Sequence, residues 1–197
     1  MKLRGFAAIF TLLALLAPAA AQEAKKEEKP ARTESTRLFR TEPNIELTVY
    51  LMAGLAEASQ QNSLPKELDR VTKQLKTLFT YKAYGVLDTI ILRARNQSSA
   101  SVEGSAPTPG SAEIAPYSVN FSGVQLAPDE KGNVVRVGRL QLIVRVPSPT
   151  AKGTEYRAAG FTTSIDLREG QSAVVGKANI DGSKNALILV VTAKVVD

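Results

Sequence analysis

Between residues 45 and 53 every odd position is apolar, the period of a half-buried strand. Successive side chains of a strand point to opposite faces, so Ile45, Leu47, Val49 and Leu51 should line one side. The period then lengthens. Leu64, Leu68, Val71, Leu75 and Leu78 recur at steps of four and three, which predicts an amphipathic helix over 65–79. Pro65 suits its first turn, where no N–H is needed. Glu67 and Asp69 near its start and Lys73 and Lys76 toward its end match the helix dipole.

Beyond the helix the pattern is strand and turn. Residues 86–95 read as a strand with Ile90, Leu92 and Ala94 on one face and Arg93 and Arg95 on the other. Asn96 and Gln97 make a turn, and 99–103 a short, weakly apolar strand. Residues 104–116 hold three prolines and two glycines, so a loop is expected there. Val124 and Leu126 precede the turn-forming run 128–133. The strand 134–146 changes phase: Val135 and Val137 are odd, whereas Leu140, Leu142, Val144 and Val146 are even. A β-bulge at Gly138-Arg139 would explain the switch. Pro147 and Pro149 should end that strand, with a polar loop over 148–155. Three strands follow, at 161–167, 172–178 and 186–196. Residues 168–171 (REGQ) join the first two, and Asp181-Gly182, a hairpin signal, lies between the last two. The last strand is nearly all apolar and should be central, covered on both faces. The fold class expected is α+β, mainly β: antiparallel strands and hairpins with one amphipathic helix packed on the sheet.

The start of the chain has a different character. Lys2 and Arg4 precede an apolar run from Phe6 to Leu16, and Ala19, Ala20 and Ala21 supply small residues for a signal peptidase, so residues 1–21 read as a signal peptide cleaved before Gln22. The run is short of the roughly 20 apolar residues of a membrane span, and Pro18 interrupts its end. No Cys follows it, which excludes an acylated lipoprotein. Residues 22–43 are densely charged and poor in apolar side chains, the composition of a disordered leader. The domain expected is 44–197, in the periplasm, associated with the outer membrane or outside the cell. With 197 residues and no Cys, it must be stabilised by packing alone. Loss of Lys2 and Arg4 leaves 23 basic and 19 acidic groups, a mature charge of +4. The cations are scattered without an aromatic-interleaved basic stripe, which argues against nucleic acid.

The chain has neither His nor Cys, so a Ser-His triad, a thiol nucleophile and the usual zinc ligands are excluded. Ser63 and Lys66 fit S-x-x-K at a helix start, but the S-D-N and K-T-G elements that accompany it in penicillin-binding proteins are missing. Gly176-Lys177 has a phosphate-loop look. Gly170 lies one residue too far upstream, however, and Ala178 stands where Ser or Thr belongs. Glu57, Asp88, Glu103 and Asp166 could supply a glycosidase pair, though none has a cleft-forming context. No catalytic, cofactor-binding or metal residue is assigned, and no cofactor is expected.

Residues 163–176 (TSIDLREGQSAVVG) followed by 187–196 (LILVVTAKVV) resemble the end of the bacterial secretin domain, which forms the outer-membrane rings of type II and III secretion systems and type IV pili. That family shows a strand, R-D/E-G-Q/E, a Val-rich strand ending in Gly-Gly, and a last strand ending in T-P-R-I-V. Earlier segments fall in compatible order: 47–58 as its first strand, the helix 65–79, then 86–88, Asn96-Gln97 with Ala100, Val102 and Gly104, and 123–126 as its G-V-x-L strand. The likeness spans 45–197. Departures are clear: the signature loop V-P-x-L-G-x-I-P-x-L-G is reduced to 179–185, Lys177 replaces the second Gly, and Ala193 replaces the Pro. The aromatic girdle of a lipid-facing barrel is absent as well. The resemblance therefore leaves ring closure and a membrane-inserted pore open. The resemblance implies a non-enzymatic envelope protein acting in assembly or binding at a secretion or surface apparatus, through self-association or a protein partner. Whether it touches lipid is left open. The alternatives are a soluble ligand-binding β domain with a closed apolar pocket, or a hydrolase using Ser63 and Lys66.

Overall fold

The nearly all-apolar segment near the end of the sequence occupies the middle of the molecule, as its lack of a polar face demands. The computed structural model describes residues 42–57, 64–130, 132–151, 153–180 and 184–196. The expected signal peptide, almost all of the leader, Ser63 and the Asp181-Gly182 turn lie outside them.

Ten elements follow one another: β1 (Asn44–Leu55), a 3-10 turn (Lys66–Leu68) running into α1 (Asp69–Leu78), β2 (Ala83–Arg95), β3 (Ser98–Pro107), β4 (Ile114–Asp129), β5 (Gly132–Thr150), β6 (Gly153–Arg168), β7 (Ser172–Asn179) and β8 (Ala186–Val196). They form two four-stranded antiparallel sheets, ordered β2-β1-β8-β7 and β3-β4-β5-β6. The mainly-β class with one helix holds.

The core is built by alternation. Ile45, Leu47, Val49 and Leu51 of β1 and Leu187, Leu189, Val191 and Ala193 of β8 meet Val119, Phe121, Leu140 and Leu142 of the second sheet. The other face of the first sheet sends Met52, Ile188 and Val190 against Leu68, Val71 and Leu75 of the helix. The layers are thus helix, sheet and sheet, and β8 is buried on both sides because both its neighbours are apolar. Burying one Leu or Ile in this way contributes about 1.5–3 kcal/mol.

The phase change in β5 is a bulge. The register against β6 slips between Val137 and Leu140, and Val135, Val137, Leu140, Leu142 and Val144 are all buried. Gly123 of β4, with φ +64, sits close to Gly138 at the same level. Glycines also make room for rings: a side chain at Gly176 would meet the Phe161 ring at 2.8 Å, so β6 can approach β7 there.

Three expectations fail. Residues 104–116 are not one loop: β3 continues to Pro107 and β4 starts at Ile114. Residues 148–155 are not a loop either, because β5 runs to Thr150 and β6 restarts at Gly153. Both misreadings come from proline. Pro147 pairs with Tyr156 and Pro149 with Thr154, alternate positions that need no N–H toward β6. Pro116, opposite Ser105, lies where the β4–β5 ladder has not yet begun. Proline stops a strand only where its missing N–H would have met a partner. The third failure is Leu78, expected on the buried stripe but 66% exposed. The helix ends at that residue and Phe79 turns extended, so the Phe79 ring packs in its place. Tyr84 closes this end: its hydroxyl lies 3.0 Å from the Leu75 carbonyl oxygen and 3.3 Å from that of Phe79.

Candidate interaction surface

The residues weighed for catalysis are dispersed. Lys66 opens the 3-10 turn with an exposed side chain, and Ser63 lies outside the described residues, so no Ser-Lys pair is placed. Glu57 is exposed past the end of β1, and Glu103 is exposed on the edge strand β3. Asp166 forms a loose surface ion pair with Arg136 at 3.7 Å. Asp88 accepts a 2.6 Å hydrogen bond from the Tyr117 hydroxyl, across from one sheet to the other. Burial first, and then that bond to the carboxylate, push the Tyr117 phenol well above its ordinary range, so it stays a donor. Among the described residues no group of three or more His, Cys, Asp or Glu could hold a metal. Gly176 and Lys177 lie inside β7, and the Lys177 ammonium rests over the Phe79 and Tyr81 rings at 5.3 and 5.6 Å. That geometry is a cation–π contact on a strand, not a phosphate loop.

The REGQ segment has a mechanical role. Glu169 accepts from the Asn133 side-chain amide at 2.8 Å and from the Val195 backbone N–H at 3.1 Å. The Gly170 N–H donates to the Ala193 carbonyl at 2.8 Å, and φ +73 at Gly170 is the left-handed turn that glycine favours. Arg168 reaches Asp129 at 3.0 Å. The turn after β6 thus ties the β4–β5 turn of one sheet to the end of β8 in the other. These bonds hold the Glu169 carboxyl below its ordinary value, the Asn133 bond most of all.

The opposite end of β8 has a matching tie. Asn185, just before β8, accepts from the Ala56 N–H at 3.0 Å and donates to the Pro109 carbonyl at 3.1 Å. It therefore joins the end of β1 to the β3–β4 loop, with Gly110 leaving room for its amide.

Among the described residues, the end of β6 offers an exposed strand edge. Residues 153–158 of β6 are exposed on both faces, so the β5–β6 hairpin projects as an arm. Its two sides differ. On β5, Pro147 and Pro149 point their N atoms away from β6 and blunt that side. By the same register the N–H groups of Thr154, Tyr156 and Ala158 point outward from β6. Tyr156 stands beside them, 60% exposed. An open edge of this kind can take up another strand.

Two clefts border the loop 108–113. One, of about 300 Å³, runs between that loop, the base of the arm and Ile180. The other, of about 470 Å³, lies between the loop and the start of β2. Both are open to solvent, and neither is an enclosed apolar cavity. No described helix is long and apolar enough to cross a membrane.

No family model matches the chain, and no curated protein matches it in sequence. Two of the solved structures similar to it are of one secretion system. One is the near-atomic cryo-EM structure of the Salmonella SPI-1 type III secretion injectisome secretin InvG, at 11% identity and a TM-score of 0.35, covering 79% of this chain and 65% of that one. The other is the atomic model of the Salmonella SPI-1 basal body proteins InvG, PrgH and PrgK, at the same identity and TM-score, covering 79% of this chain and 46% of that one. The chain thus spans between about half and two thirds of the length of the chains it matches.

Proposed function

We propose that this is a non-enzymatic exported envelope protein whose secretin-like domain works by assembly or binding at a secretion or surface apparatus. In this reading the signal peptide of residues 1–21 is cleaved, and the leader 22–43 holds the domain 44–197 off its membrane. Support comes from the REGQ corner between β6 and the β7 strand with its Val174-Val175 pair, where the likeness of sequence is sharpest. The observation that carries the reading is the arm: one of its sides is closed by prolines, and the other offers a run of outward N–H groups. Main-chain hydrogen bonds to such an edge supply affinity, and neighbouring side chains such as Tyr156 supply selectivity.

The test replaces Thr154 and Tyr156 together by proline. Both stand at positions whose N–H does not serve β5, so the arm keeps its pairing while the open side loses two donors. Light scattering on the chain from Gln22 onward should give an oligomer or a stable complex with an envelope protein. The double variant should fall to the monomer with an unchanged far-UV spectrum. A wild-type chain that stays monomeric and binds nothing from the envelope, or an assembly untouched by the two prolines, refutes the proposal.

A further inference from the structure

The first sheet ends on β2, and the second half of that strand leaves a short run of backbone unpaired on its outer side. The Leu55 carbonyl of β1 accepts from the Lys82 N–H, whereas the Ala56 N–H goes the other way, to Asn185. Odd residues of β1 therefore face β2, and by the register Asp88, Ile90, Leu92 and Ala94 face them in return. The N–H and C=O groups of Thr89, Ile91, Arg93 and Arg95 point outward, away from β1. Two of these groups are satisfied from within the chain. The Thr89 N–H donates to Asp88 at 2.7 Å, and the Arg95 carbonyl accepts from the Ser98 hydroxyl at 2.6 Å. Asp88 is itself held by the Tyr117 hydroxyl, so its cap is fixed in place. Between the two caps stands Ile91, 63% exposed, followed on the same face by Arg93, whose guanidinium is bound to Glu46 at 2.9 Å.

We propose that β2 pairs antiparallel with β2 of a second copy of the chain, about a two-fold axis at Leu92. Ile91 of each copy then faces Arg93 of the other and exchanges both backbone bonds with it. Thr89 faces Arg95, and the free Thr89 carbonyl accepts from the free Arg95 N–H. The groups that would complete that pair, the Thr89 N–H and the Arg95 carbonyl, are the two already capped. No donor or acceptor is left over. A foreign strand would present a carbonyl to the Thr89 N–H and find that donor taken, an unpaired acceptor that weakens its hold. An axis at Ile91 would strand the Arg93 carbonyl in the same way. The side chains agree with the axis at Leu92. The aliphatic stem of Arg93 covers Ile91 of the other copy while its head stays on Glu46, and no like charges stand directly opposite. The contact uses neither the arm, which lies on the other sheet, nor the secretin likeness.

A ladder this short makes a weak interface, so the dimer should form at about 100 µM and dissociate at about 1 µM. The experiment is sedimentation velocity on the chain from Gln22 onward, with Thr154→Pro and Tyr156→Pro to take the arm out of the reading. That variant should be a monomer when dilute and a dimer when concentrated. Ile91→Pro removes an outward N–H that β1 does not use, so it should abolish the dimer and leave the far-UV spectrum unchanged. Ile91→Lys sets a like charge opposite Arg93 at both symmetric positions and should weaken the dimer about tenfold. The register is read with single cysteines, since the chain has none of its own. About the proposed axis the two Leu92 positions lie about 4.5 Å apart and the two Ile91 positions about 7–8 Å. Under oxidation Leu92→Cys should therefore cross-link and Ile91→Cys should not. A chain still monomeric at about 100 µM, a dimer indifferent to Ile91→Pro, or a link through Ile91→Cys in place of Leu92→Cys overturns the proposal.

Discussion

Asn185→Ala tests whether the two sheets are held together by discrete polar ties as well as by their shared core. The substitution removes the hydrogen bonds to the Ala56 N–H at 3.0 Å and to the Pro109 carbonyl at 3.1 Å, both at partly buried positions. Each such bond is worth about 1 kcal/mol net, and an orphaned buried partner costs more than a solvated one. Partial burial lets water reach some of the freed groups, so the loss should be about 2–3 kcal/mol. In a domain of this size that corresponds to a fall in Tm of roughly 4–12 °C. Urea denaturation followed by far-UV circular dichroism is the assay, and the midpoint should drop with the slope unchanged, since native compactness is retained. Asn185→Asp separates the two bonds. It keeps an acceptor for Ala56, loses the donor, and sets a carboxylate against the Pro109 carbonyl, so above its titration range it should be at least as destabilising as alanine. A loss below about 0.5 kcal/mol, the level of an ordinary surface change, would show that the tie is incidental.

Two further outcomes rest on the same geometry. Leu75→Ala should cost about 2–5 kcal/mol and Leu78→Ala less than about 0.5 kcal/mol in the same denaturation assay, because the first side chain is fully buried and the second 66% exposed. Glu169→Gln should destabilise the fold at neutral pH, with a penalty that depends on pH. The folded carboxyl titrates below its ordinary value of 4.5, so its contribution is complete above that value and is lost as pH falls through the lowered one. Thermal melts across the acid range should therefore show wild type and variant converging at low pH, and a constant gap would contradict the role given to this side chain.

The absence of His and Cys disposes of whole classes of chemistry at the level of composition, and no arrangement of the chain can restore them. Alternation is almost as direct. The odd apolar positions of β1, the unbroken apolar run of β8 and the phase slip at Gly138 each report burial at their own positions, because the period of a strand is a property of its own backbone. The fate of the prolines was not legible. Whether Pro147 or Pro116 breaks a strand depends on which neighbour faces its nitrogen, and that neighbour is set by the pairing of whole strands. Leu78 fits the stripe and yet is exposed, since only the packed sheet decides where the helix runs out of surface to cover. Asn185 gave no sign at all: an Asn before a strand reads as ordinary turn chemistry, and Ala56 and Pro109, which it joins, lie 129 and 76 residues away. Composition and periodicity therefore determine which face of a strand or helix is apolar, and the packed sheet decides how far along it that face is covered. The folded chain alone determines which backbone groups are paired and which edge is left open, because hydrogen-bond partners are set by distance in space.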